Sequence, residues 1–227
     1  MHQSGCRATQ PATVDRLSFD RATFDRARER HTLFDASSPD LSAFVARGGK
    51  LILFHGWADP HISPLNTIAY HEALRRFFGE AKAEAFERLY LMPGMGHCSG
   101  GEGPSAFDLL TPMMAWVESG SAPDAVMTRT PPPGGRSMSG PPGGRSGDMR
   151  PPSTGAGREM GPPPGMPPMA APKPRSRPVY PYPYVAAFTG TGDPDEAAGW
   201  TKGKPAPVSI PSWAGSDFYR PYAGVAR

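Results

Sequence analysis

The chain has 227 residues, of which 30 are proline, 27 glycine and 20% charged, with a formal net charge of +3. Fifteen of the prolines fall within residues 131–178, mixed with glycine, serine, methionine and arginine and almost without branched or aromatic side chains. Such a stretch cannot bury enough apolar surface to offset its chain entropy, which excludes a second packed core.

The charge is uneven. Residues 129–178 carry eight Lys or Arg against Asp148 and Glu159, a local +6 that leaves −3 for the remainder. The basic character therefore belongs to that segment, and no stacking platform or fold motif accompanies it, so no specific nucleic-acid partner is expected. No run approaches the ~18 apolar residues of a membrane span. The first residues, Met1-His2-Gln3-Ser4-Gly5-Cys6-Arg7, hold no apolar signal core, so neither a membrane partner nor export is expected from this chain. Cys6 and Cys98 are too few for a disulfide framework and lack CxxC spacing.

Along the chain, residues 1–18 are polar and unpatterned and are expected to be disordered. A helix is predicted over 19–34, where Phe24, Ala27 and Leu33 share a face. Ser37-Ser38-Pro39-Asp40 caps a short helix over 41–46, and Gly48-Gly49 breaks it before an apolar run over 50–55. That run predicts a strand buried on both faces. A helix follows over 64–78, with Ser63 as N-cap, Pro64 first, Ile68, Leu74 and Phe78 toward a sheet, and Gly79 as its stop. A second strand is predicted over 86–92, then the Gly94-Met95-Gly96 turn, then a helix over 105–117 bent or split in two by Pro112 and stopped near Gly120.

The order strand, helix, strand, helix implies a parallel pair with a right-handed crossover, so both strands emit their following loops at one sheet edge. The fold class is therefore α/β, in a part spanning 19–128. A low-complexity linker over 129–176 follows, where Pro132-Pro133-Gly134-Gly135-Arg136-Ser137 recurs as Pro141-Pro142-Gly143-Gly144-Arg145-Ser146. Residues 177–227 then read as an extended segment docking back on the core, with a disordered end.

Two loops carry the candidate chemistry: Leu51-Ile52-Leu53-Phe54-His55-Gly56-Trp57-Ala58-Asp59-Pro60 and Met92-Pro93-Gly94-Met95-Gly96-His97-Cys98. Asp59 and His97 would sit just beyond the carboxyl ends of the two strands, where sites gather in open α/β sheets. A carboxylate that orients an imidazole, and an imidazole that takes a hydroxyl proton, are two members of a nucleophilic triad. The blander readings are a turn-capping aspartate and a structural histidine. No Gly-x-Ser-x-Gly occurs, and Ser4, Ser18, Ser37, Ser38 and Ser42, the serines before Asp59, have no strand-turn-helix context. A metal site from His55, His61, His71, His97 and Cys98 fits no zinc spacing, so no metal is expected. Trp57, His61 and Met95 are candidates for lining a pocket; core filling is the default for the methionines.

These motifs resemble the tannase and feruloyl esterase family of α/β hydrolases. The likeness rests on Gly48-Gly49-Lys50-Leu51-Ile52-Leu53, Gly56-Trp57-Ala58-Asp59-Pro60, Ile62-Ser63-Pro64, Pro93-Gly94-Met95-Gly96-His97-Cys98, Trp116-Val117-Glu118 and Pro181-Tyr182-Pro183. It covers roughly residues 19–128 and 175–200. The resemblance implies that Asp59 is the triad acid, that His97 is the general base and acid, and that Cys98 forms a disulfide with a cysteine beside the nucleophilic serine. It implies a partial α/β-hydrolase fold, the C-terminal strand-helix-strand-helix portion, because the family's serine loop, oxyanion hole, lid and calcium site precede this region. No cofactor is expected in the chain itself, and secretion or periplasmic location is expected for the family.

The expected function is the C-terminal fragment of a serine hydrolase acting on small-molecule esters of aromatic acids, inactive alone and complemented by an N-terminal polypeptide. The alternative is a non-catalytic interaction module using the basic proline-rich segment. One departure concerns Tyr180, where many relatives carry a cysteine, so the C-terminal segment must dock without that clasp.

Overall fold

The computed structural model describes residues 18–29, 35–97, 99–131, 173–212 and 219. They belong to two compact units, Asp40–Ser212 and Met1–Pro39 with Trp213–Arg227. In the latter, helix α1 (Arg21–Arg28) starts where the Asp20 carboxylate accepts from Thr23 N at 2.8 Å and is laced by Arg21–Asp25. It is shorter than the sequence predicts and buries no residue; residues 30–34 lie outside the described set.

The larger unit opens with α2 (Ser42–Ala46), entered through Asp40 accepting from Ser42 N, and β1 (Leu51–Gly56). Helix α3 (Pro64–Phe78) has the predicted bounds, because Ser63 caps Leu65 N, Pro64 needs no amide partner in the first turn, and Gly79 ends it at φ 79°. A separate helix α4 (Glu80–Phe86) then leads into β2 (Glu87–Met92), where only a strand was expected. Lys50 Nζ reaches Ala85 O at 2.8 Å and ties the end of α4 to the start of β1.

Strands β1 and β2 are parallel, in register from Leu51↔Glu87 to Gly56↔Met92, as the crossover rule requires. One expectation fails here. Strand β1 is not buried on both faces: Phe54 is 39% exposed, and among the described residues the strand pairs on one edge only. Strand β2 is the core strand, with Leu89, Tyr90 and Met92 wholly buried.

Helix α5 (Leu110–Ser119) begins later than predicted and is not split by Pro112. The proline lies in the first turn, whose amides have no intrahelical acceptors, while the Asp108 carboxylate caps Leu110 N and Thr111 N. Gly120 closes the helix in the left-handed region.

The returning C-terminal segment is more ordered than an extended tail. Strand β3 (Val126–Arg129) pairs antiparallel with β4 (Ser176–Val179), joining the two sides of the proline-rich stretch. Tyr182 N then donates to Leu89 O at 2.8 Å, and β5 (Tyr184–Phe188) pairs antiparallel with β6 (Trp200–Pro205). Tyr90, Met92, Met95, Val126 and Val179 form one buried cluster at this junction. Beneath α3, the buried His71 ring bonds the fully buried Glu87 carboxylate at 2.8 Å and meets Tyr182 edge to face at 5.6 Å. The architecture is α/β with small two-stranded sheets. Among the described residues no helix is long and apolar enough to cross a membrane.

Candidate active site

Both candidate loops leave the same edge of the β1–β2 sheet, and backbone contacts fix their approach. Trp57 N donates to Met92 O at 2.9 Å and Ala58 N to Met95 O at 3.0 Å. Only glycine fits at 56, since a Cβ there would run into the carbonyls of Met95 and Gly96. Gly94, at φ 69°, turns the second loop, and Gly103 N returns to Gly94 O at 3.0 Å.

Residues 38 positions apart thereby meet: His97 Nδ1 lies 2.7 Å from Asp59 Oδ2. The two sides of the pair are built differently. The Asp59 side chain is only 3% exposed, whereas that of His97 is 45% exposed. Asp59 Oδ1 accepts from His61 N at 2.8 Å and Ile62 N at 3.1 Å, and Oδ2 accepts from His97 Nδ1 at 2.7 Å. Three N–H groups thus bond the carboxylate, and His55 Nε2, which bonds Ile62 O, stands 3.2 Å from Oδ2.

Burial by itself would raise the Asp59 carboxyl. The hydrogen bonds from His97 and from the amides of His61 and Ile62, with the His97 charge, outweigh it and hold the group well below the ordinary carboxylate range. Asp59 is therefore ionised at neutral pH. It holds the proton of His97 on Nδ1 and leaves Nε2 as the basic lone pair, the arrangement of a general base awaiting a hydroxyl.

His61 stands at the mouth, 73% exposed, with its ring edge-on to His97 at 5.5 Å. Ligand atoms of Asp59, His61 and His97 come within 4.8 Å of one another. A cation there would have to displace donors already on the carboxylate, and an imidazole-rich set does not suit calcium, which takes 6–8 oxygens. The group the family carries elsewhere thus has no fit in these residues, and His71 is engaged with Glu87 away from the pair.

Of the pocket-lining candidates, Trp57 lines a cavity of about 660 Å³ together with Leu91, Pro104, Tyr180, Tyr182 and Trp200. Met95 does not; it is wholly buried in the core. His61 lies at the mouth of the pair and not in that cavity wall. Cys6 and Cys98 fall outside the described residues. Sequence reasoning weighed His55 only as a member of a rejected metal set and as the end of a strand, and it missed Thr67, whose hydroxyl lies 2.7 Å from His55 Nδ1. The signal was the four-residue spacing of His55 and Asp59 across a glycine-containing turn.

Adjacent parallel strands thus deliver a buried carboxylate and an exposed imidazole to one edge of the sheet. The chain belongs to the tannase and feruloyl esterase family, whose model matches residues 5–202. It is 39% identical over 160 residues to a mono(2-hydroxyethyl) terephthalate hydrolase of Piscinibacter sakaiensis, covering 70% of this chain and 20% of that protein. It is 35% identical over 105 residues to feruloyl esterase B of Aspergillus niger, covering 39% of this chain and 20% of that protein. The chain thus spans about a fifth of the length of these curated relatives.

Among solved structures, an esterase from Aspergillus oryzae superposes with a TM-score of 0.56 at 21% identity, over 80% of this chain and 32% of that one. Feruloyl esterase B from the same organism gives 0.51 at 22%, over 73% and 29%. At these identities the likeness is one of fold.

Proposed function

We propose that these residues are the acid–base half of a serine esterase, the C-terminal part of an α/β-hydrolase fold, and that they act on esters of aromatic carboxylic acids together with a nucleophile that these 227 residues do not supply. The observation that carries this reading is the 2.7 Å bond from His97 Nδ1 to the buried Asp59, at the mouth of two adjacent parallel-strand loops. Relatives named for feruloyl esters and for a terephthalate ester support the substrate class. A serine placed at His97 Nε2 gives up its proton as its oxygen attacks the ester carbonyl. His97 returns that proton to the departing alcohol, and water repeats the cycle to release the acid. Asp59 keeps the imidazole tautomer and stabilises its charged form.

Two features support a nucleophile from elsewhere. Among the described residues the first strand starts at Leu51, after Ser18, Ser37, Ser38 and Ser42, so none of these follows a strand into an elbow. Phe54, Leu110, Met114 and Val117 leave apolar area on β1 and α5 open to a covering partner. The experiment follows hydrolysis of a chromogenic aromatic ester by the chain mixed with the serine-bearing portion of a feruloyl esterase relative. Activity is expected only in the mixture and falls at least about a thousandfold with His97→Ala. Equal activity of the His97→Ala mixture would overturn the assignment.

A further inference from the structure

The His55 ring lies beneath the catalytic pair and bonds at both nitrogens. Nε2 faces two acceptors, Ile62 O at 3.0 Å and Asp59 Oδ2 at 3.2 Å, so it carries a proton. Nδ1 faces the Thr67 hydroxyl at 2.7 Å. In the neutral ring the Ile62 carbonyl, which can only accept, fixes the proton on Nε2, and Nδ1 then accepts from the Thr67 hydroxyl, which anchors the ring to α3.

Three consequences follow from where that N–H points. It bonds Ile62 O, whose own amide donates to Asp59 Oδ1, so the ring holds the far end of the turn at residues 59–62. It also stands 3.2 Å from Asp59 Oδ2, so a polarised N–H faces the oxygen that His97 bonds. Finally, the ring is largely buried, with its side chain 11% exposed, and joins β1 to α3 through Thr67.

We propose that His55, anchored to α3 by Thr67, is a positioning residue that aims Asp59 Oδ2 at His97 Nδ1. This rests on the reading of Asp59 and His97 as a catalytic pair, and it adds a third imidazole that touches no substrate. The ionisable groups facing His97 are Asp59, in direct contact, and His61, edge-on at 5.5 Å; His55 reaches His97 only through the shared carboxylate oxygen.

The test uses the full 227-residue chain and nitrogen-detected NMR of its histidine rings, which reports the tautomer without any turnover. Wild type and Asp59→Asn form the first comparison: His97 is expected as the Nδ1–H tautomer in the wild type and to lose that preference in Asp59→Asn. If the two are alike, the catalytic pair itself fails and the proposed function with it. The second comparison concerns His55 alone. His55→Leu and Thr67→Val are each expected to weaken the His97 Nδ1–H signal, and His55→Gln, whose amide can donate where Nε2–H did, is expected to restore it. Thr67→Val is near-isosteric and keeps the ring, so it decides the matter if His55→Leu does not fold. A normal wild-type and Asp59→Asn difference combined with an unchanged His97 in Thr67→Val would overturn the role of His55 while leaving the pair intact.

Discussion

Strands β1 and β2 lie side by side in register and are both rich in apolar residues, yet they live in different surroundings. Strand β2 has α3 and α4 on it, and the returning segment at Tyr182 bonds to Leu89, so four of its six residues are core. Among the described residues strand β1 pairs only with β2 and keeps Phe54 partly in water, where it stacks edge-on with Phe107 at 5.3 Å. The strand before His97 is thus held by this chain's own packing, whereas the strand before Asp59 is packed less deeply.

The difference can be probed from the strongest effect downward. On β2, Glu87→Leu leaves the buried His71 without its acceptor and should cost ~3–5 kcal/mol, while the double change with His71→Leu should recover most of it. Chemical denaturation of the two variants reads this, and an undiminished loss in the double variant would mean that the pair is not what holds α3 to β2. At the next register-matched core position, Leu89→Ala should cost ~2–5 kcal/mol and its partner Leu53→Ala under ~2, because less of Leu53 leaves water on folding. Equal losses in denaturant melts would erase the contrast between the strands.

The smallest effect concerns the acid. Asp59 is held below its unfolded value of ~3.9, so its contribution to stability is complete above that value and is lost only as pH falls through the lower folded one. Melting temperatures of wild type and Asp59→Asn should therefore differ by a constant amount from pH 7 to about 4 and converge below. Convergence already at pH 6 would mean that Asp59 is not held ionised.

What could be read in the sequence follows the range of the forces involved. Helix α3 was legible to the residue because Ser63, Pro64 and Gly79 are local signals, and the meeting of Asp59 with His97 followed from two strands and one crossover. Strands β3 and β4 were not legible, since Val126 pairs with Val179 across the proline-rich stretch and Pro178 sits within the second strand. Helix α4 was missed because its glutamates and alanines lead straight into β2 with no glycine between. The groups around Asp59 escaped notice for another reason: two are backbone amides, and His55 stands beside the carboxylate through a ring orientation that α3 helps to fix.

The central claim is that this chain holds an acid and a base but no activated serine. Its most direct test is exposure of the purified 227-residue chain to a fluorophosphonate serine probe, with intact mass and hydrolysis of a chromogenic aromatic ester followed together. The account predicts no adduct and no hydrolysis above background. An adduct on one of its own serines, accompanied by hydrolysis that His97→Ala abolishes, would contradict it.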